Sequence, residues 1–402
     1  MKKTIVLFLV IINMIPFLSG CWNQKELNDL AFVMAMGVDK GKHKQFDLTF
    51  QLVNPGNVSS GQSGGGGQGL PIAVYKSSGD TLTEAARNLT KKVSRRLYYA
   101  HTNIIVLSDK LNKQNMLNVF DAFEREPEFR TTTEIIIAKK STAEELVTTL
   151  TILDKLPVNK ISKQLQTSEK MLGENIKVNV DDFVSGLVSK GKQPIANGYM
   201  VKGDKSIAKN ADNLTSTVPK AYLMVDGLAV FNDGKLIGWI ENNKARGVVW
   251  VLNKVKSTDM NLDWKGKKAA LNLTPIRSKT KISVKMKNGK PMIQVVIKEE
   301  SIISEVNTPI NLEDPAVIQA LERKMGRKIE KEVRSSIKEA QRKKCDIFGF
   351  GDKVHVAYPR YWKKIENNWD EQFANTEVTV KVYAFNRRAG IRRNPFWDAM
   401  KQ

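Results

Sequence analysis

Cysteine is nearly absent: Cys21 and Cys345 are the only two in 402 residues. With no CxxC pair and no metal-ligand spacing, neither a disulfide framework nor a zinc site is written into the chain. A Cys21–Cys345 bridge stays open on paper, but it would consume the cysteine of the opening motif. Histidine is almost as scarce, with His43, His101 and His355 far apart. Long apolar runs are missing as well. The greasiest segment, residues 5–18, is interrupted by Asn13 and Pro16 and falls short of the ~20 residues a membrane-spanning helix needs. Carboxylates are outnumbered, 42 Asp and Glu against 64 Lys and Arg, giving a net charge of +22 and a pI near 9.7. Nucleic acid, an anionic membrane surface and an acidic wall polymer would each suit such a charge. What remains is ample: 41% hydrophobic and 26% charged residues support sizeable cores. At roughly 100–200 residues per domain, two or three domains are expected.

The first twenty residues have the make-up of a secretory signal. Lys2 and Lys3 provide a positive start, the apolar run follows, and Leu18-Ser19-Gly20-Cys21 closes it. That tetrapeptide resembles a bacterial lipobox. Small residues admit a lipoprotein signal peptidase, which would cut between Gly20 and Cys21, and the thiol is the nucleophile that takes diacylglycerol as a thioether. Removing residues 1–20 discards two lysines and no acids, leaving +20 on the mature chain. Two or more acyl chains hold a protein almost permanently, at ~0.8 kcal/mol per buried methylene. Each well-placed basic residue near anionic lipid adds ~1 kcal/mol within a Debye length of ~10 Å. The positive charge therefore has a membrane explanation that requires no nucleic acid.

Beyond Trp22 the pattern is mixed. LAFVMAMGVDK reads as a buried strand and FDLTFQLVN as a second, largely alternating one. The Gly-rich stretch at 54–71 lacks the Gly-Lys-Ser/Thr ending of a phosphate cradle and reads as a flexible loop. Thr81 with Glu84 and Ser141 with Glu144 have capping-box spacing, and helices are also expected over 113–125 and 158–172. Alternating strands and helices argue for an α/β layer around one mixed sheet over 21–202. The polar run 203–220 marks a candidate boundary or exposed loop, followed by a small α+β unit at 221–280 whose hairpin turns on Asn232-Asp233-Gly234. A C-terminal domain is expected over 281–402. It starts with a hairpin turning on Asn288-Gly289 and continues in a long helix over 315–345, with Asp314 as N-cap and Pro315 at the first position. Ile318, Leu321, Met325, Ile329, Val333 and Ile337 give that helix one apolar stripe, suited to packing on a sheet while charged residues fill its other faces. The fold class is α+β: a multidomain chain of successive mixed and antiparallel sheets with packed helices.

Several segments together are recognisable. Cys21-Trp22-Asn23, Lys25-Glu26-Leu27-Asn28 and a strand ending Gly37-Val38-Asp39 resemble the start of Ger(x)C-type spore germination lipoproteins. Arg96 with His101, the run Arg125-Glu126-Pro127-Glu128 with Arg130, and Lys344 with Asp346-Ile347-Phe348-Gly349-Phe350-Gly351 agree with that family, as do Pro359, Trp362, Trp369 and Phe373. Asn23, Ala100 and Ala389 depart from its commoner Asp, Gly and Thr. The resemblance implies the C subunit of a nutrient germinant receptor, anchored in the spore's inner membrane. Cys21 would carry S-diacylglycerol and an N-acyl chain. The soluble body would lie on the extracytoplasmic side, assembled with membrane-embedded A and B subunits that respond to small nutrients. It implies no cofactor, no metal and no active site.

The residues themselves offer little to an enzyme. A hydrolase needs a nucleophile, a base and an orienting group. His101 beside a strand reads as a structural or interface residue, and the adjacent Asp181-Asp182 pair as a solvated turn. The rival reading is a solute-binding lipoprotein of an uptake transporter, which would show two similar lobes around a hinge. No internal repeat between the halves supports it. Trp22, an indole suited to the lipid–water boundary, would sit near the bilayer or pack in the first domain.

Overall fold

The computed structural model describes residue 26 and residues 29–53, 70–154 and 156–388, together with residue 395. Among them no helix is long and apolar enough to cross a membrane.

Among the described residues, nine strands form the first sheet. β1 (Leu30–Lys40), β2 (Phe46–Val53) and β3 (Ile72–Gly79) make an antiparallel meander at one side. In the middle, β5 (Ile104–Ser108) and β6 (Glu134–Ala138) run parallel to β1, and β7 (Ile195–Gly203) runs parallel to β6. β8 (Ala221–Asn232) and β9 (Lys235–Ile240) close the other side antiparallel, and the short β4 (Arg96–Tyr98) lies beside the start of β1. A parallel centre must be covered on both faces, which is why IIVLS of β5 is buried throughout instead of alternating. Ile105, Leu107, Ile135 and Ile137 face α1 (Leu82–Asn88), α2 (Lys113–Arg125) and α5 (Val180–Val188). Ile104, Val106, Ile136 and Ala138 face α3 (Ala143–Thr148) and α4 (Pro157–Met171).

The second sheet has the order β10–β11–β12–β13, with β10 (Met260–Trp264), β11 (Lys267–Lys287), β12 (Lys290–Val306) and β13 (Glu377–Arg388). The first three are antiparallel and β13 runs parallel to β12. The long helix α7 (Pro315–Arg342) lies across it. Asp314 accepts from Ala316 N at 2.8 Å, and Leu321, Met325, Ile329, Val333 and Ile337 are buried in one core with Ile293, Val295, Ile297 and Val380. Lys344, at φ 52°, turns the chain out of the helix, so the helix ends at Arg342, short of the expected 345. Both hairpins turn as their sequences require, Asp233-Gly234 and Asn288-Gly289 each taking two successive positive φ values. Three short helices, α8 (Phe350–Ala357), α9 (Pro359–Ile365) and α10 (Trp369–Ala374), follow α7.

Of the two readings of the run at 203–220, it is the exposed loop and not the boundary: β7 and β8 on either side of it pair antiparallel from Ile195–Val230 to Gly203–Ala221. The stretch 221–280 is accordingly not a unit of its own. β8 and β9 complete the first sheet, while β10 and most of β11 belong to the second. α6 (Asn242–Val251) bridges them. Its Gly247 lies so close to α7 that a Cβ there would stand 2.0 Å from Ser336 Oγ and 2.5 Å from Glu332 O. Beside it the Arg246 guanidinium makes a two-pronged ion pair with the Glu332 carboxylate, at 2.9 and 2.6 Å, both side chains being buried.

Candidate functional site

Cys21, the Gly20–Cys21 junction and Trp22 lie outside the described residues, as do nearly all of the Gly-rich stretch and most of the basic C-terminal tail. The chain enters β1 at Leu30, paired with Arg96 of β4. From there each recognised motif can be followed to a physical task.

Gly37-Val38-Asp39 fastens a helix. The Asp39 carboxylate accepts from Ala143 N and Glu144 N, both at 2.9 Å, across the start of α3. A Cβ on Gly37 would stand 3.1 Å from the Ala143 carbonyl carbon, so any larger residue would push strand and helix apart by a few tenths of an ångström. Burial pushes the Asp39 carboxyl above its usual range in spite of those two donors. This contact also sets the helix register. Thr142, paired with Glu145, forms the capping box, one residue later than the Ser141–Glu144 spacing proposes.

The Arg96 and Arg125–Arg130 segments meet at a cleft. Arg96 Nη2 donates to Glu128 Oε1 at 2.8 Å, tying the loop after α2 to β4. Behind this pair, between α1 and α2, opens a cavity of about 570 Å³. Met36, Leu48 and Phe50 of the sheet form its floor, and all three are buried. Tyr99 stacks on Phe129 at 4.8 Å and Phe123 leans on Phe129 at 4.9 Å to make one wall. Arg87, Arg95, Glu126 and Glu128 also line it. Burial raises the Tyr99 phenol well above its ordinary value, so it stays neutral. Sequence reading picked out Arg96, Glu126 and Glu128 but not the aromatic wall. The aromatic residues flanking the two motifs, in RLYY and REPEFR, were the available signal.

The structure does not bring His101 and Arg130 into that cleft. They line a second, polar hollow of about 490 Å³ with Lys163, Lys170, Lys177 and Lys256. Exposed His101 sits 5.4 Å from the Phe32 ring and 5.8 Å from Tyr98. Glu134 and Glu169 oppose the lysines there, Glu134 facing Lys177 at 3.6 Å and Glu169 facing Lys256 at 3.6 Å.

The Asp346–Gly351 motif is a joint. Buried Asp346 accepts from Phe348 N (3.1 Å), Gly351 N (2.8 Å) and Trp369 Nε1 (2.9 Å), and Gln193 N donates to its carbonyl at 2.8 Å. Burial outweighs these donors and lifts its carboxyl to about 6. Gly349 takes the left-handed conformation at φ 72°, and Gly351 packs directly on Gly191 of the first-sheet region. Ser189 Oγ donates to Asp352 Oδ1 at 2.9 Å across the same seam. Next to it Cys345 is buried and free, its Sγ donating to Phe231 O at 2.9 Å, while Cys21, the other member of the open pairing, lies outside the described residues.

Catalytic groupings do not assemble among the described residues. Asp181 and Asp182 occupy the first turn of α5, where a solvated turn was expected, and Asp182 completes a capping box with Asn179. No group of His, Cys, Asp and Glu among the described residues is placed to hold a metal ion. The most deeply buried cation among the described residues is Lys139, held by Asp226 at 2.7 Å and by Glu241, and set 4.9 Å from the Trp239 ring. Its charges are consumed in joining β6 to the β8–β9 edge.

Two family models match. Residues 23–198 match the spore germination protein N-terminal domain, and residues 226–390 the spore germination B3/GerAC-like C-terminal domain. Spore germination protein KC of Bacillus subtilis (strain 168) is 39% identical over all of this chain and 99% of its own. Spore germination protein B3 of the same organism is 27% identical, covering 94% of this chain and 96% of its own. Among solved structures, the crystal structure of the GerBC protein is 19% identical and covers 90% of this chain and 99% of its own, with a TM-score of 0.49. None of these names is that of an enzyme.

Proposed function

The chain belongs to the spore germination B3/GerAC-like family, and on that premise we propose that it is the lipid-anchored C subunit of a spore nutrient germinant receptor. The whole-length match to a spore germination protein is the observation that carries this reading. Leu18-Ser19-Gly20-Cys21 supplies the anchor: export, cleavage before Cys21, and acylation of its thiol and amino group. The mature body, at +20, then stands on the outer side of the spore's inner membrane and works by assembly with membrane-embedded A and B subunits. The joints at Arg246–Glu332 and Asp346–Gly351 suit such a scaffold, because they fasten the parts of the body carrying the two sheets to each other.

The two sheets differ in strand number and connectivity among the described residues. Two similar lobes, as a hinge-closing solute carrier would need, are therefore not what supports a reading here. Replacing Cys21 by Ala tests the proposal in spores. The variant is expected in the soluble fraction, with slowed nutrient germination and with two multispan proteins no longer co-purifying from membranes. A variant that stays membrane-bound and germinates at the wild-type rate overturns it.

A further inference from the structure

We infer that the cleft between α1 and α2 is a binding site for a small organic anion with an apolar ring or branched hydrocarbon body. Its volume of about 570 Å³ lies within the range of small-molecule sites, which combine an apolar lining with a few convergent polar groups. The depth is apolar: Met36, Leu48, Phe50 and Leu82, with the Tyr99–Phe129 stack as a flat wall on which a ring can lie. The rim is charged and unevenly so. Of its three guanidiniums, Arg96 is committed to Glu128, while Arg87 and Arg95 have no carboxylate partner among the described residues and outnumber Glu126, the opposing carboxylate left in the lining. Both are exposed. A planar guanidinium offers a carboxylate two parallel hydrogen bonds, the strongest neutralisation available at such a rim. Tyr99 lines the same wall with a phenol that burial keeps neutral. The site thus presents donors at its mouth and hydrocarbon below, the pattern of an amphipathic anion. It does not depend on the tether at Cys21.

Three probes of one body and different heads test it: 3-phenylpropionate, 3-phenylpropanol and 3-phenylpropylamine, titrated calorimetrically into the full chain in lipid nanodiscs, with empty discs subtracted. The anion is expected to bind most tightly, the alcohol about tenfold more weakly and the amine weakest. Arg95→Glu, at an exposed position, is expected to reverse the order of anion and amine without changing the circular dichroism spectrum. Ala86→Trp, which places an indole in the cleft from α1, is expected to abolish binding of all three. Affinity that ignores the head charge, an order that survives Arg95→Glu, or no binding by any probe overturns the proposal. The last result is what an apolar segment seated in the cleft, such as Trp22 or a partner's side chain, would give.

Discussion

Glu299 sits on the inner face of β12 with Val295, Ile297 and Ser301, fully buried, where its carboxylate meets the Ser301 hydroxyl. Desolvation, reinforced by Glu300 and Glu322 and offset only in part by the Ser301 hydroxyl, raises its carboxyl from 4.5 to about 8. The folded protein therefore holds a proton at pH 7 that the unfolded chain releases. For an acid with a raised folded value, the cost to stability is absent below about pH 4.5, grows through the window between the two values and is complete above about pH 8. At 1.36 kcal/mol per unit, the change between pH 5 and pH 8 comes to about 3 kcal/mol. Glu299→Gln keeps the shape and removes the titration. Urea unfolding of both proteins at pH 5, 6.5 and 8 measures the effect as a difference of differences, which cancels the fixed cost of burying an amide. The variant should gain about 3 kcal/mol on the wild type between pH 5 and pH 8. Parallel pH profiles would refute the reasoning and place a partner or water on the carboxylate.

Other expectations follow from the joints and the cysteines. Arg246→Ala strands the buried Glu332 charge and should cost about 3–5 kcal/mol in a denaturant titration, much of it recovered by Arg246→Met with Glu332→Leu. Gly351→Ala would set a Cβ 2.5 Å from Gly191 Cα and 2.6 Å from Trp369 Nε1. With backbone on one side and a packed indole on the other, it should lower thermal stability by about 1–3 kcal/mol. Cys345, buried and with its thiol pushed up by desolvation, should resist a thiol reagent at pH 8 in the native protein and react on unfolding. Unfolded protein purified from membranes should then titrate as one thiol if Cys21 carries the proposed thioether. Two thiols would contradict acylation.

Local chemistry was legible where one short segment determines its own structure. The Asp233-Gly234 and Asn288-Gly289 turns, the Asp314-Pro315 start of α7 and its apolar stripe all depend on neighbours in sequence. What escaped depends on distant partners. Asp39 moves the α3 cap to Thr142 from about a hundred residues away, and the pairing of β7 with β8 carries the first sheet across a polar run that reads equally as a boundary or an exposed loop. The short helices α8–α10 owe their place to Asp346, Trp369 and the Gly351–Gly191 contact, so weak local periodicity did not announce them. At the candidate cleft, the motif carried the Arg96–Glu128 pair, but its apolar depth comes from three strands and two helices that only the fold assembles.

The central claim, a tethered receptor subunit, is met most directly by the intact mass of the N-terminal peptide released from membrane-extracted native protein. The account predicts a chain beginning at Cys21, with a diacylglyceryl thioether on its sulfur and an acyl group on its amine. A peptide that retains residues 1–20, or one that begins at an unmodified Cys21, would contradict it.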